Sequence, residues 1–554
     1  MLGMARKCWN IKKILPQASV LAKARSISEV FAQILLNRAI GENEIDAFLN
    51  PALDFLHDPM NLPDMPLAVR KIKDVLQKGK KILVAGDYDV DGVTSLAVFN
   101  EFIKDFPGQY EFYIPHRVHD GYGLSKDAVE KAREFGASLI TAFDCGTNST
   151  AEIELAKSLG IEVVVVDHHS PQDGFNAPHA FVNPKRKDSS YMFRDLSGAA
   201  LAFKLLQALT GKDCFEALDL VALSIVCDVV PLKGENRSML KHGMEVLRSS
   251  KRPAIKALCA AARITQENLT SFHLGFILGP RINASGRVAH AKEALDLFIT
   301  QDPGEALTIA QRLCEYNDLR KNIEADILKQ AEAIAQRATV EDYAIVAAGD
   351  NWHPGVLGIV ASRLCEKYFR PAFVISFGEN GGKGSGRSPE NVNLVETLDY
   401  CAAALTEYGG HKKAAGIVLS KENLPLFKQR LNDFIRANAG KDAVASINVD
   451  CELDFTAIND DFLDELELLK PLGEDNPKAL FATCGVTKKA SAKKVRSGYS
   501  IWLTHKDHTY EAAIYDAGLV EIMDYAASFD ILYSLEYNTY HNEPRLTIKD
   551  VRLP

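Results

Sequence analysis

The chain has 554 residues, 47% apolar and 25% charged, with a formal net charge of −9. That length exceeds one hydrophobic core, so roughly three to four domains of ordinary globular composition are expected. No apolar run approaches the roughly 20 residues of a bilayer span. No secretory h-region follows the basic residues Arg6, Lys7, Lys12 and Lys13, so neither a secretory signal nor a membrane segment is expected.

Residues 1–75 read as an N-terminal helical segment, amphipathic for example over Ser28 to Leu36 and Asn43 to Leu49, with Pro63 and Pro66 punctuating its end. From Lys78 short apolar strands alternate with helices. Lys81 to Ala85, Glu111 to Ile114, Ser138 to Phe143 and Ile161 to Val166 read as strands. Val93 to Ile103, Lys126 to Phe135, Ala151 to Leu159, Ser197 to Leu209 and Phe215 to Val226 read as helices. Such alternation predicts a parallel α/β domain over 76–300.

Asp302 as N-cap and Pro303 at the first helical position open a long helix that connects the domains over 301–339. Its apolar positions, from Ala306 to Ile334, recur at helical spacing. A second, smaller α/β domain is expected over 340–440. Its strands are Tyr343 to Ala348 and Ala372 to Ile375, its helix is Gly355 to Tyr368, and a glycine-rich loop covers Gly381 to Ser388. Strand-like runs at Ile447 to Phe455, Ala479 to Val486, Tyr499 to Thr504 and Tyr510 to Tyr515 predict a small β domain over 445–554.

The chemistry concentrates where apolar runs end. Lys81 to Ala85 leads into Gly86-Asp87-Tyr88-Asp89-Val90-Asp91-Gly92, and Ser138 to Phe143 into Asp144-Cys145-Gly146. Ile161 to Val166 leads into Asp167-His168-His169, and the β-like run Leu223 to Cys227 into Asp228. Strands of a doubly wound sheet share one carboxyl edge, where ligands bind, so these groups converge. Assembling so many negative charges is costly unless cations sit among them. Oxygen ligands with one or two histidines suit Mg2+ or Mn2+. Two such ions roughly 4 Å apart can clamp the attacking and leaving oxygens of a phosphoryl displacement. Any one of these motifs has a bland alternative: an Asp after a strand is most often a helix N-cap, and Asp-His-His could be a loop of satisfied polar groups.

The ten scattered cysteines include no CxxC pair, which disfavours structural zinc and a disulfide framework and suits a reducing cytoplasm. The negative balance does not advertise nucleic-acid binding. It does not exclude it either, because metal-ligand carboxylates inflate the acidic count and a basic groove can be local.

Taken in order, Asp87 to Gly92, Asp144-Cys145-Gly146, Asp167-His168-His169 and Asp228 resemble the four motifs of the DHH phosphoesterase superfamily. Further segments narrow the resemblance to the RecJ single-strand-specific exonucleases: Pro280 to Arg287, Gly384 to Ser388 with Gly409-Gly410-His411, and Lys470 to Pro477. The resemblance implies a parallel-sheet DHH domain, a long connecting helix, a smaller α/β DHH-associated domain facing the metal site across a cleft, and an OB-like nucleic-acid-binding domain. It implies Asp89 as a ligand of a first metal, with Asp87 and Asp167 orienting ligands or binding through water. Asp91, His168 and Asp228 would hold the second metal, Asp144 would bridge, and His169 would touch the scissile phosphate. One position departs from the pattern: many superfamily members carry a histidine four residues before Asp89, where this chain has Ala85, so water, Asp87 or substrate completes the first shell.

The same resemblance gives Arg281 and Arg287 a phosphate-gripping role and Arg117 a place at a terminal 5′-phosphate. Ser385, Arg387, Ser388 and His411 would hold the substrate backbone. On physical grounds a glycine-rich loop lets backbone N–H groups approach an anion, although most glycine clusters are only turns. In the C-terminal domain Lys488, Lys489, Lys493, Lys494 and Arg496 lie near Tyr499 and Trp502, a composition that suits a single-strand platform or simply a solvated face. The implied activity is 5′-to-3′ hydrolysis of single-stranded DNA to 5′-mononucleotides. Single-strand-binding protein and a helicase are candidate partners. Two rival readings remain open: a DHH phosphodiesterase acting on short oligonucleotides, cyclic dinucleotides or pyrophosphate, and a non-catalytic DNA-binding replication scaffold.

Overall fold

The computed structural model describes residues 7–117, 123–172, 178–337, 342–379, 381–438, 445–538 and 543–553. The chain divides into two compact units. One holds His57–Asp228 and His242–Ala445; the other holds Cys8–Leu56, Val229–Lys241 and Ser446–Pro554.

The first unit contains a five-stranded parallel sheet in the order Tyr110–Tyr113, Lys81–Gly86, Ala137–Phe143, Glu162–Val166, Ala180–Val182. Its central strands are nearly continuous apolar runs because both faces are covered. Helices Lys126–Phe135 and Thr150–Ser158 bury Leu83, Ala85, Ile140 and Val165 on one face. Helices Met65–Gln77, Val90–Ile103 and Gly198–Thr210 pack on the other. From Lys81–Gly86 the chain pairs first to one side and then to the other. The carboxyl ends of Lys81–Gly86 and Ala137–Phe143 therefore flank the switch point where α/β sheets bind ligands.

The long helix spans Pro303–Ala335, with the Asp302 side chain accepting the Glu305 N–H at 2.7 Å. The second sheet of this unit runs Glu407–Gly410, Ala414–Leu419, Gly381–Arg387, Ala372–Gly378, Ile345–Asp350. Here the glycine-rich segment departs from expectation. It is a strand paired on both sides, with its backbone in the sheet ladders, not a loop of free amides. Its glycines serve packing: a Cβ on Gly382 would lie 2.5 Å from Phe377, and one on Gly386 2.4 Å from Phe373. Lys383, Ser385 and Arg387 point to the opposite face.

In the second unit five strands close on themselves: Phe481–Lys488, Gly498–His505, His508–Ile514, Glu543–Arg552 and Phe529–Asn538, which returns to Phe481–Lys488. This is the OB-type barrel. The expected N-terminal helical segment is divided. Met65–Gln77 packs on the parallel sheet, whereas Phe31, Ile34 and Leu35 of Glu29–Asn37 join the barrel's core with Phe455, Phe481 and Tyr533. A short amphipathic helix cannot bury its apolar face alone. Strand Lys7–Ile11 pairs with Ala445–Val449. Arg237 is the buried hub of this unit: its guanidinium donates to the carbonyls of Phe48, Leu468, Leu469, Lys470 and Pro471. Among the described residues no helix is long and apolar enough to cross a membrane.

Candidate metal centre

Asp87 follows strand Lys81–Gly86 directly. Asp89 caps helix Val90–Ile103, its Oδ1 accepting the N–H groups of Asp91 and Gly92 at 3.0 and 3.2 Å. Capping occupies one oxygen and leaves the other for a cation. Asp91 lies two residues further on and caps a different helix. Its carboxylate accepts the Gly198 and Ala199 N–H groups at 2.7 and 2.8 Å and the Ser224 hydroxyl at 2.6 Å. Asp144 follows strand Ala137–Phe143 in the left-handed region, with φ 55°. A Cβ on Gly198 would lie 2.7 Å from that of Asp144, so only glycine lets this helix start so close.

Asp167 is fully engaged in shaping the His-His loop. Its Oδ1 accepts from the His168 and His169 N–H groups and lies 2.7 Å from His169 Nδ1, while Oδ2 accepts the Thr147 N–H. His168 then presents Nε2 at 3.1 Å from Asp144 and 3.6 Å from both Asp91 and Asp228. Asp228 is not at a strand end. It is the C-cap of helix Leu218–Cys227; the mostly apolar run before it is largely buried and helical, which short-range periodicity cannot distinguish from a buried strand. Ala85 lies in the sheet core beside Leu83.

Ligand atoms group as Asp87, Asp89 and Asp144; as Asp91, His168 and Asp228; and as Asp144, Asp167, His168 and His169, each within 4.8 Å. Burial, reinforced by the neighbouring carboxylates, raises the carboxyls of Asp87, Asp144 and Asp228 well above the usual range and raises Asp89 also. Burial lowers His168, which keeps its imidazole neutral and suited to ligation. For His169 burial acts in the same direction, but the Asp167 hydrogen bond and charge outweigh it and raise the imidazole. The buried Asp87 Oδ1 has no hydrogen-bond partner among the described residues. An orphaned acceptor amid mutually repelling acids fits a site for hard divalent cations.

The expected phosphate-binding residues separate into two sets. Arg117 stacks over the Tyr88 ring at 4.6 Å. Arg287 donates to the Gly355 carbonyl at 3.0 Å and is pushed down to about 10, by burial first and then by Arg117 and Arg320. Arg387 is lowered by burial and by Arg117, and donates to Ser385 Oγ at 3.1 Å. Among the described residues Arg117, Arg287 and Arg387 make no ion pair, and Ser385 and Arg387 face Gly358 at the start of helix Leu357–Tyr368. The second set points elsewhere. Arg281 spends donors on the Ile277 carbonyl and on Cys314 of the long helix. Ser388 is buried, its hydroxyl donating to the Pro389 and Val392 carbonyls. Its neighbour in that expectation, His411, sits exposed in the turn between Glu407–Gly410 and Ala414–Leu419.

Sequence reasoning missed Ser224, Ser197 and Asn183. Ser224 Oγ bridges Asp91 and Ser197 Oγ, and Asn183 donates to the His169 carbonyl and to Thr147. The one signal for Ser224 was a polar residue inside an otherwise apolar helix. His353-Pro354-Gly355, which meets Arg287, carried no signal beyond a turn.

A parallel sheet and the helices on it, bringing three aspartate motifs and an Asp-His-His loop to one site, define the DHH phosphoesterase class. In agreement, the DHH family N-terminal domain is matched over residues 81–225, the DHHA1 domain over 341–437 and the RecJ OB domain over 449–550. The single-stranded-DNA-specific exonuclease RecJ of Escherichia coli is 36% identical over 398 residues, 66% of this chain and 68% of that protein. RecJ of Bacillus subtilis is 35% identical over 83% of this chain, and the match spans 59% of that protein's length. The crystal structure of RecJ from Thermus thermophilus with Mn2+ superposes with a TM-score of 0.85 at 28% identity, covering 99% of this chain and 80% of that one. The same protein has been solved with Mg2+, matching at a TM-score of 0.80. The chain belongs to the RecJ family of single-stranded-DNA-specific exonucleases.

Proposed function

We propose that the protein hydrolyses single-stranded DNA from its 5′ end and releases 5′-mononucleotides, with two divalent ions, Mn2+ or Mg2+, as cofactors. The observation that carries this is the juxtaposition of the three groups of acid and histidine ligand atoms with three arginines that lack carboxylate partners among the described residues. When bound, the ions supply Lewis-acid activation of the phosphate and of the attacking water. In this reading Asp89 and Asp87 hold the first ion, Asp91, His168 and Asp228 the second, and Asp144 serves both. Asp167 fixes the histidine loop, and His169 stands toward the scissile phosphate. Arg117, Arg387 and Ser385 take the terminal 5′-phosphate and Arg287 the backbone, because planar guanidinium groups match phosphate oxygens. Arg281 and Ser388 brace the protein.

The complete Asp and Asp-His-His set argues against a non-catalytic scaffold, and the OB-type barrel argues against an enzyme confined to dinucleotides. Single-strand-binding protein and a helicase are the partners this reading suggests, and the cytoplasm is the compartment. The test is Mn2+-dependent release of nucleotides from 5′- and 3′-labelled single strands, a duplex and a cyclic dinucleotide. Early release of label from the 3′ end, or preference for the cyclic dinucleotide, would defeat the reading.

A further inference from the structure

The segment from Ser271 to Val288 is continuous helix in three parts: Ser271–His273, a wide π turn over Leu274–Leu278, and Gly279–Val288. Pro280 explains the widening: it has no N–H to give the Phe276 carbonyl, and its ring crowds that carbonyl in a regular helix. The C-terminal part braces the metal-binding loop. Asn283 Oδ1 accepts the Val90 N–H at 3.1 Å, and a Cβ on Gly286 would lie 2.7 Å from the Tyr88 carbonyl. The π turn lies against Cys227, the chain neighbour of Asp228; the Cys227 Sγ donates to the Leu274 carbonyl.

Leu274, Leu278 and Ile282 anchor the segment in the core. Phe272 and Phe276 do the opposite. They are 59% and 72% exposed, yet stacked on each other with centroids 5.1 Å apart and planes 25° apart. Their i,i+4 contact supports the helix only slightly, and it leaves most of two large apolar rings side by side in water instead of in the core. Asn283 lies seven residues from Phe276, roughly 10 Å along a helix axis, which matches about three nucleotides of a stacked strand.

We propose that Phe272 and Phe276 form a stacking platform for unpaired bases of the substrate strand, about three nucleotides from the scissile phosphate. This rests on the proposed exonuclease activity and extends it to a determinant of strand selectivity. A single strand can offer a base face to the rings, whereas a duplex keeps its faces stacked on neighbouring pairs. Every base has a π face, so the platform tolerates sequence.

The test compares wild type with Phe276→Ala, Phe272→Ala, Phe276→Leu and Phe276→Trp on 5′-phosphorylated strands. Each strand carries normal bases or one abasic residue, scanned from the second to the fifth nucleotide, and melting curves check the fold. The expected result is a KM about tenfold higher for Phe276→Ala on the normal strand. The abasic strand at the contacting position should raise the wild-type KM similarly and add nothing in the alanine variant. Tryptophan should restore affinity and leucine should not. A wild-type KM for Phe276→Ala, losses that multiply with the abasic site, or rescue by leucine as good as by tryptophan overturns the platform while wild-type turnover stands. A wild type that releases no nucleotide from any strand in Mn2+ overturns the activity and the platform together.

Discussion

Asn283 accepts the backbone N–H of Val90 at 3.1 Å. Val90 sits between Asp89 and Asp91, so one side chain from a distant helix pins the loop that carries both carboxylates. The bond also satisfies a donor in the first turn of helix Val90–Ile103, where no intrahelical acceptor exists.

Asn283→Ala should therefore affect the site more than the fold. One lost hydrogen bond costs about 1 kcal/mol of stability. Activity and Mn2+ affinity should fall by roughly 10–100-fold, as when groups that orient metal ligands are removed. Chemical denaturation, Mn2+ titration and nuclease kinetics on one preparation measure all three. Wild-type turnover and metal affinity would show that the loop holds itself.

Asp144 provides the sharper test of the centre, through Asn and not Ala. Its φ of 55° is one that Asn tolerates, whereas Ala there adds backbone strain of roughly 1 kcal/mol. Burial and the neighbouring carboxylates hold the Asp144 carboxyl well above its usual range, so a neutral amide relieves repulsion in the metal-free protein. Asp144→Asn should melt higher than wild type in chelator. It should lose activity beyond the ~10–100-fold of outer contacts. Wild type should gain about 2.7 kcal/mol of stability at Mn2+ a hundredfold over its Kd, and the variant little. Equal Mn2+ stabilisation of both proteins would remove Asp144 from the metal site.

Much of this centre was legible because Asp and His motifs follow conspicuous apolar runs, and a parallel sheet gathers strand ends at one edge. What was not legible depended on packing. Leu223 to Cys227 is apolar apart from Ser224, so its short period fits a strand as well as the helix read over Phe215 to Val226, and Asp228, expected at a strand end, caps that helix instead. Gly381 to Ser388 read as a phosphate loop because glycines permit close approach. What approaches is Phe373 and Phe377, which the local sequence does not specify. Residues 1–75 read as one separate helical segment because helical periodicity reveals an apolar face but not the core that receives it.

Arg387 separates substrate binding from metal binding. Its guanidinium lies beside Ser385 Oγ and close enough to Arg117 to be lowered by it, and none of the grouped ligand atoms comes from it. Arg387→Ala should raise KM for a 5′-phosphorylated strand by an amount equivalent to roughly 1.5–3 kcal/mol. It should reduce the preference for 5′-phosphate over 5′-hydroxyl ends, with Arg387→Lys restoring only part, because an ammonium lacks the planar fork. Calorimetric Mn2+ affinity should scarcely change. If Mn2+ affinity falls while KM at saturating metal is normal, Arg387 acts on the metal shell and the phosphate role is lost.

The barrel's contribution needs a point substitution, not a truncation. Ending the chain near Ala439 would strip the partners of Phe31, Ile34 and Leu35, which share a core with Phe455, Phe481 and Tyr533, and would expose apolar surface. The basic and aromatic cluster also resolves into two faces. Tyr499 packs against the barrel core, Lys488 pairs with Asp524, and Trp502 stands out 45% exposed on Gly498–His505, the strand that pairs with the exposed edge strand Lys493–Val495. Trp502 is thus the one aromatic of this cluster placed to meet a base. Trp502→Ala should leave the melting temperature within about a degree, since surface changes rarely exceed ~0.5 kcal/mol. Affinity for long single strands should fall by the equivalent of roughly 1–3 kcal/mol if one base stacks there. Charge reversal at Lys493 and Lys494 should instead flatten the salt dependence, because counterion release scales with the phosphates neutralised. Binding isotherms for long and short strands across a salt series separate the two effects. If long-strand affinity and its salt slope survive both changes, this face of the barrel does not contact DNA.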